Sequence, residues 1–243
     1  MSDILEVTGL SKSYAGLKAL NDVTFRVGQG SILGIIGPNG AGKTTLFNAL
    51  SGTVKPDAGR VLLRGQDITG RPPHRTTRDG MVRTFQLMRP FATMSVRDNV
   101  AIAAQGRHRR AAARRYADEV LGRVGLADVR STPAADLSTA ALKRLELARA
   151  LATDPDVLLL DEVLAGLVPA EREPVLELLL ELRDQGTTLL FVEHVMTAVM
   201  RLSDRVLVLD QGAVLMEGAP NEVTRDPRVV EAYLGGGFSD AGA

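Results

Sequence analysis

The chain has no cysteine, so disulfides and thiolate metal sites are excluded. Its three histidines, His74, His108 and His194, are too few and too scattered for an ordinary zinc site. Neither charge is in excess: 29 Lys and Arg against 29 Asp and Glu give a formal net charge of zero. That argues against a broad nucleic-acid surface, although a local basic patch can sit inside a balanced total. Long hydrophobic runs are also missing, and the longest fall far short of the ~20 residues that a membrane helix needs. Asp3 and Glu6 interrupt any apolar stretch at the N-terminus, so no secretory signal pattern is seen. The expectation is a chain that stays in the cytosol and can dock on a membrane protein.

What is present is enough for a real core: 243 residues, 45% hydrophobic and 24% charged. Short apolar runs bounded by turn residues predict strands over 4–7, 23–27, 32–36, 61–64, 157–160, 188–192 and 205–209. Helical spacing appears over 44–50, 171–184 and 195–202. Strand–helix alternation of this kind implies an α/β fold with parallel strands and crossover helices. The run 157–160 is apolar on both faces, as a central parallel strand requires. From 95 to about 149 no strand pattern is seen, and helices are expected over 96–104, 109–124 and 138–150. This reads as a helical insertion into an α/β core. Arg107, Arg109, Arg110, Arg114 and Arg115 cluster there. The preferred reading is a solvated face balanced by Asp118 and Glu119, ahead of binding to lipid headgroups or nucleic acid. The tail from Gly235 onward is expected to fray.

Gly37-Pro38-Asn39-Gly40-Ala41-Gly42-Lys43-Thr44 matches G-x-x-x-x-G-K-[ST] in full, after an apolar strand and before a helix. Glycines let backbone N–H groups close around phosphate oxygens, and the helix N-terminus adds positive potential. Lys43 reaches the terminal phosphates, and the Thr44 hydroxyl can ligate Mg²⁺. The run Val157-Leu158-Leu159-Leu160-Asp161-Glu162 is its natural partner. Asp161 at a strand end can hold the Mg²⁺ or its water, and Glu162 just beyond can orient an attacking water as general base.

With these motifs in place the chain resembles the ATP-binding subunits of ABC transporters over nearly its whole length. The resemblance implies a P-loop NTPase core with a mainly parallel sheet, an N-terminal antiparallel β region and a helical subdomain. It places the core at 1–86 and 154–236, the helical subdomain at 87–153 and a disordered tail at 237–243. ATP and Mg²⁺ are the implied cofactors. The nucleotide-binding set is Gly37, Asn39, Gly40, Ala41, Gly42, Lys43, Thr44 and Thr45. Tyr14 matches the aromatic that stacks on adenine, with a strand-end core residue as the alternative. Gln86 in Thr84-Phe85-Gln86 matches the glutamine that links Mg²⁺ or water to the membrane subunit. Glu162, His194 and Gln86 are the implied catalytic residues; Thr44, Gln86 and Asp161 are the implied metal ligands. The apolar residues after Gln86, namely Leu87, Met88, Phe91 and Met94, read either as a docking surface or as core.

The stretch Leu137-Ser138-Thr139-Ala140-Ala141 falls where the family carries Leu-Ser-Gly-Gly-Gln. There Ser138 would contact, in trans, the γ-phosphate held by the opposing subunit of a dimer. The chain keeps Leu137 and Ser138 and replaces both glycines and the glutamine. Val168 likewise stands where the family usually has Asn or Asp. The elements acting on the chain's own ATP are intact, and those facing a dimer partner are altered. This suggests a weaker signature and a heterodimer with a second ATPase chain; the alternative is a working signature in a homodimer. Gly16-Leu17-Lys18-Ala19-Leu20, Ala165-Gly166-Leu167, Val192-Glu193-His194 and Val230-Glu231-Ala232-Tyr233-Leu234-Gly235 are together similar to the branched-chain amino-acid importer group. That similarity implies transmembrane permease subunits and, indirectly, a substrate-binding protein as partners, no nucleic acid, and a peripheral position on the inner face of the plasma membrane. Lipopolysaccharide export, urea or amide uptake, and a non-transport ABC ATPase are the alternatives.

Overall fold

The structure is a computed structural model, and it describes residues 2–84 and 90–234. Gln86, Leu87, Met88 and the 237–243 tail lie outside the described residues.

Two long strands open the chain, β1 (Asp3–Tyr14) and β2 (Leu17–Gly28), paired antiparallel about a turn at Ala15-Gly16. They extend well beyond the apolar runs 4–7 and 23–27. Most of the added residues are polar, because one face of this sheet meets water, while Leu10 and Leu20 among them are buried in the core. Next come β3 (Ile32–Ile36), α1 (Lys43–Leu50), β4 (Ala58–Leu63), the short β5 (Gln66–Asp67) and α2 (Pro73–Asp79). β4 stops at Leu63, one residue short of expectation, because Arg64 turns into the left-handed region at φ 51°. Strands β2-β1-β4-β5 form a four-stranded antiparallel sheet.

The chain continues through β6 (Met81–Arg83), α3 (Val96–Ala104), α4 (Arg110–Arg123), a 3₁₀ turn (Ala134–Asp136) and α5 (Thr139–Leu151). It then alternates: β7 (Val157–Asp161), α6 (Pro169–Asp184), β8 (Thr188–Val192), α7 (Met196–Leu202), β9 (Arg205–Asp210). It closes with β10 (Ala213–Gly218), α8 (Pro220–Val223) and α9 (Pro227–Leu234). The second sheet runs β10-β9-β3-β8-β7-β6 and is parallel except for β10 at one edge.

Every residue of β3, β7 and β8 is buried. Alternate side chains enter two different cores, as the two-residue period of a strand dictates. Leu158, Leu160, Leu189 and Phe191 pack with α3 to α7 on one side. Leu159, Leu190 and Val192 pack with α1 and the antiparallel sheet on the other. The order β3-β8-β7 sets the loop after β3, the end of β7 and the residues after β8 side by side. They meet at the carboxyl edge, where open α/β sheets bind ligands.

In the helical region Ser95 caps α3, its hydroxyl accepting the Asp98 N–H at 3.0 Å. The arginine cluster there is partly neutralised, although by other acids than expected. Arg114 pairs with Asp98 at 2.7 Å, and Asp118 is taken by Arg97 at 2.7 Å. Arg107 donates to the Thr153 carbonyl.

Candidate active site

The loop from Gly37 to Gly42 leads from β3 directly into α1. Gly42 is the N-cap at φ 102°, where a Cβ would lie 2.5 Å from the Ala19 carbonyl. No side chain caps α1 and its first turn carries no acid. Its leading amides are thus available to an anion, with the helix dipole behind them. Lys43 is buried and bends back over the loop, donating to the carbonyls of Gly37 at 2.5 Å and Pro38 at 3.0 Å. Burial lowers its pKa, while the charges of Glu162 and Asp161 pull it back up.

A cleft of about 200 Å³ opens over this loop. Asn39, Gly40, Ala41, Gly42, Lys43, Thr44, Thr45, Glu162 and His194 line it, together with Ala19 and Val192. Most of the expected phosphate and catalytic residues, drawn from both halves of the chain, therefore share one concavity. Tyr14 and Ser138 are not among its lining residues. Tyr14 ends β1 and is 44% exposed, which removes the strand-end core reading; Lys12 Nζ lies 5.5 Å from its ring centroid. Ser138 caps α5, accepting the Ala141 N–H at 3.3 Å. Phe91 is 48% exposed, so it is not core either.

Asp161 ends β7 and is buried. Glu162 follows in the left-handed region at φ 50°, its N–H held by the Val192 carbonyl at 3.0 Å. Strain of this kind in a non-glycine residue collects at functional sites. The turn brings Glu162 Oε1 to 3.1 Å from His194 Nε2. A carboxylate beside a phosphate-binding helix start, steadied by an imidazole, can take a proton from a water attacking a terminal phosphate.

Four residues near the cleft have no site role assigned by the sequence. Arg83 on β6 donates to Asp161 Oδ2 at 2.6 Å. Glu193, only 3% exposed, accepts the Leu164 N–H at 2.7 Å. Lys143 of α5 donates to the carbonyls of Glu162, Val163 and Ala165. Tyr233 of α9 receives the Gly37 N–H on its hydroxyl, although burial is the larger influence and pushes that hydroxyl's pKa up. Tyr233 also lines a larger, apolar cavity of about 390 Å³ with Ile36, His194 and Met196. The smaller cleft carries the chemistry, because the phosphate loop lines it.

Val168 is the N-cap of α6 and is 56% exposed. Glu171 reaches back to accept its N–H at 3.0 Å, but a valine side chain returns no hydrogen bond to the helix. Val168→Asn is expected to stabilise the protein by about 1 kcal/mol, read as a higher urea midpoint.

A glycine-rich loop opening a helix, an Asp-Glu pair at the end of the next strand but one and a histidine after the strand between them define a P-loop ATPase. Residues 20–165 match the ABC transporter family, and residues 213–239 match the branched-chain amino acid ATP-binding cassette transporter family. The chain is 40% identical over 249 residues to the high-affinity branched-chain amino acid transport ATP-binding protein LivG of Escherichia coli K12, covering 96% of this chain and 98% of that one. It is 40% identical over 250 residues to BraF of Pseudomonas aeruginosa, a protein with the same description, with the same coverage. Among solved structures it resembles a nucleotide-free ATP-binding cassette from an ABC transporter, at TM-score 0.88 and 32% identity, covering 96% of this chain and 99% of that one. A cassette in its ADP conformation gives TM-score 0.87 at 32% identity, covering 97% and 100%. This chain belongs to the ABC transporter ATP-binding proteins, and its enzymatic activity is ATP hydrolysis. Among its described residues no helix is long and apolar enough to cross a membrane.

The family implies a divalent cation, and the donor set fits one. Thr44, which carries a hydroxyl, lines the cleft, and the Asp161 carboxylate keeps Oδ1 free of hydrogen bonds to the described residues. Both are hard oxygens of the kind Mg²⁺ prefers.

Proposed function

We propose that this chain is the ATP-hydrolysing subunit that powers import of branched-chain or related amino acids through partner permease subunits. The observation that carries the transport reading is the end-to-end 40% identity to LivG and BraF, joined to the family match over 213–239. The chain would sit peripherally on the inner face of the plasma membrane, with a substrate-binding protein engaged indirectly. The core would comprise 1–86 and 154–236, and the subdomain 87–153 would carry motion to the permease.

In this reading Lys43 and the α1 amides neutralise the phosphate charge. Thr44 and Asp161, with Gln86 outside the described residues, would hold Mg²⁺, which supplies further charge neutralisation on the phosphates when bound. Glu162 removes the proton from the attacking water. His194, in contact with Glu162, steadies the γ-phosphate. Tyr14 stacks on adenine. What supports the roles of Lys43, Thr44, Glu162 and His194 is the shared cleft and the 3.1 Å Glu162–His194 contact.

Ser138 would meet the ATP of a second ATPase chain. Ala140, in place of the second glycine of the family pattern, and Ala141, in place of its glutamine, are half-buried against the helical core, while Thr139, in place of the first glycine, is exposed. A heterodimer is the favoured assembly. Thr139→Gly with Ala140→Gly is expected to cost up to about 1 kcal/mol per glycine and to raise the concentration-dependent ATPase rate of the isolated chain. Equal rates in both forms would favour a homodimer with a working signature.

The test of the transport reading is ATP-driven uptake into proteoliposomes holding the native permease and ATPase subunits. Labelled leucine, isoleucine and valine are compared with urea and short amides. Accumulation of the branched-chain amino acids alone is expected; accumulation of urea or amide instead would overturn the assignment.

A further inference from the structure

Arg83 is a buried cation on a strand of three residues. Its side chain is 8% exposed and that of its partner Asp161 is 5% exposed. Nη2 donates to Asp161 Oδ2 at 2.6 Å, and Nη1 donates to Asn48 Oδ1 at 2.5 Å. The guanidinium lies 5.7 Å from the ring centroid of Phe47. Its Nε is buried and has no hydrogen-bond partner among the described residues. Three parts of the site therefore converge on one side chain. Asn48 lies on α1 one helical turn after Thr44. Asp161 ends β7, and Arg83 itself leads into the segment that carries Gln86.

Packing alone does not account for this arrangement. A purely structural arginine would be expected to satisfy all of its buried donors. Here the fork is aimed at one carboxylate oxygen and one amide, and Nε is left over. The carboxylate so held is the one that a divalent cation would need. A fixed guanidinium on Oδ2 sets the orientation of Oδ1. It also places a positive charge within a few ångströms of any cation bound there, and in a buried setting that repulsion is large.

We propose that Arg83 is a positioning residue that competes with the divalent cation for Asp161, so that the cation binds productively only together with nucleotide phosphates. The proposal rests on the reading of Asp161 as the cation-binding carboxylate. In the plainest terms, Arg83 holds the other oxygen of the metal's carboxylate, and its charge sets the threshold for the metal's arrival.

The experiment titrates Mn²⁺ alone into the purified chain and follows loss of the free-ion signal by electron paramagnetic resonance. ADP binding and circular dichroism are recorded beside it. Arg83→Met is expected to bind Mn²⁺ at least about tenfold more tightly than wild type, because the repelling charge is gone. Arg83→Lys, which keeps the charge, is expected to stay close to wild type. Adding Asp161→Asn to Arg83→Met is expected to abolish the gain. Should Arg83→Met fail to fold, Arg83→Gln carries the same expectation, since it keeps a hydrogen-bond donor without charge. A folded, ADP-binding uncharged variant with wild-type Mn²⁺ affinity overturns the proposal, as does a gain that survives Asp161→Asn. The underlying reading fails separately if Asp161→Asn in the otherwise native chain leaves the Mn²⁺ dependence of ADP binding unchanged.

Discussion

Glu162→Gln lowers ATP turnover by about 10²–10⁴-fold while ATP affinity stays close to that of wild type. The carboxamide matches the carboxylate in shape, so the left-handed turn at φ 50° and the Val192 carbonyl bond both persist. The 3.1 Å approach to His194 Nε2 can persist too, since an amide oxygen still accepts. What is lost is the capacity to take a proton from water. The phosphate-binding parts, Lys43 and the α1 amides, are untouched, so binding and chemistry separate cleanly. Phosphate release and equilibrium binding of a fluorescent ATP analogue, measured on the same preparation, check this. Equal turnover in both forms would mean that the base lies elsewhere. Loss of binding together with turnover would mean that Glu162 serves the fold of the cleft instead.

The parts of this site that are legible in the sequence are those whose chemistry is written in adjacent letters. The glycine-rich loop, the Asp161-Glu162 pair and His194 each follow an apolar run, and an apolar run is what a buried parallel strand looks like. Ser138 is legible as a helix start for the same local reason. Arg83 is not. Its strand is three residues long, its partner lies 78 positions away, and only the parallel pairing of Arg83 with Leu159 brings them together. Tyr233 is a similar case: its place beside Gly37 depends on α9 returning across the sheet after an antiparallel edge strand, β10, whose half-buried residues show no clean alternation. The basic cluster is a solvated face, as its composition suggests, but the acids that meet it differ from the expected pair. Asp98 and Asp118 face arginines across the α3–α4 packing, which a reading along one helix does not reveal.

The altered partner-facing letters have a local explanation that the family pattern hides. Ala140 packs inward where the family has its second glycine, and alanine is the better helix former, so that exchange gains helix stability where glycine gains close backbone approach. Val168 offers no such gain, since it is exposed and caps nothing. The two departures are therefore not equivalent. The first trades one physical advantage for another; the second gives up a cap and presents an apolar surface toward whatever faces α6.

Glu193 supplies the second large effect, through a pair of substitutions with opposite results. It accepts the N–H of Leu164, two residues beyond Glu162, so it fixes the turn on which the general base stands. Glu193→Leu leaves that buried N–H without an acceptor, at a cost of about 1–3 kcal/mol. Turnover should fall by about tenfold or more, since small misplacements of a catalytic group are expensive. KM should change little, because the phosphate loop is not involved. Glu193→Gln keeps the acceptor and discards the charge. Burial raises the Glu193 carboxyl above its ordinary value of 4.5, with the Leu164 and His194 amides and Lys143 pulling it part of the way back. The folded state therefore holds this proton more tightly than the unfolded chain. Its contribution to stability is fully present below the unfolded pKa and is lost as pH rises through the folded one. Above the folded pKa the native protein bears a buried carboxylate at a cost that glutamine does not incur. The melting temperature of Glu193→Gln, relative to wild type, should accordingly climb as pH is raised from about 4.5 toward neutrality. Melting curves across that interval, with kcat and KM for both variants at pH 7.5, decide the matter. A difference that does not vary with pH would show that burial does not penalise the Glu193 charge, and a leucine variant with native turnover would show that the turn after Glu162 needs no such anchor.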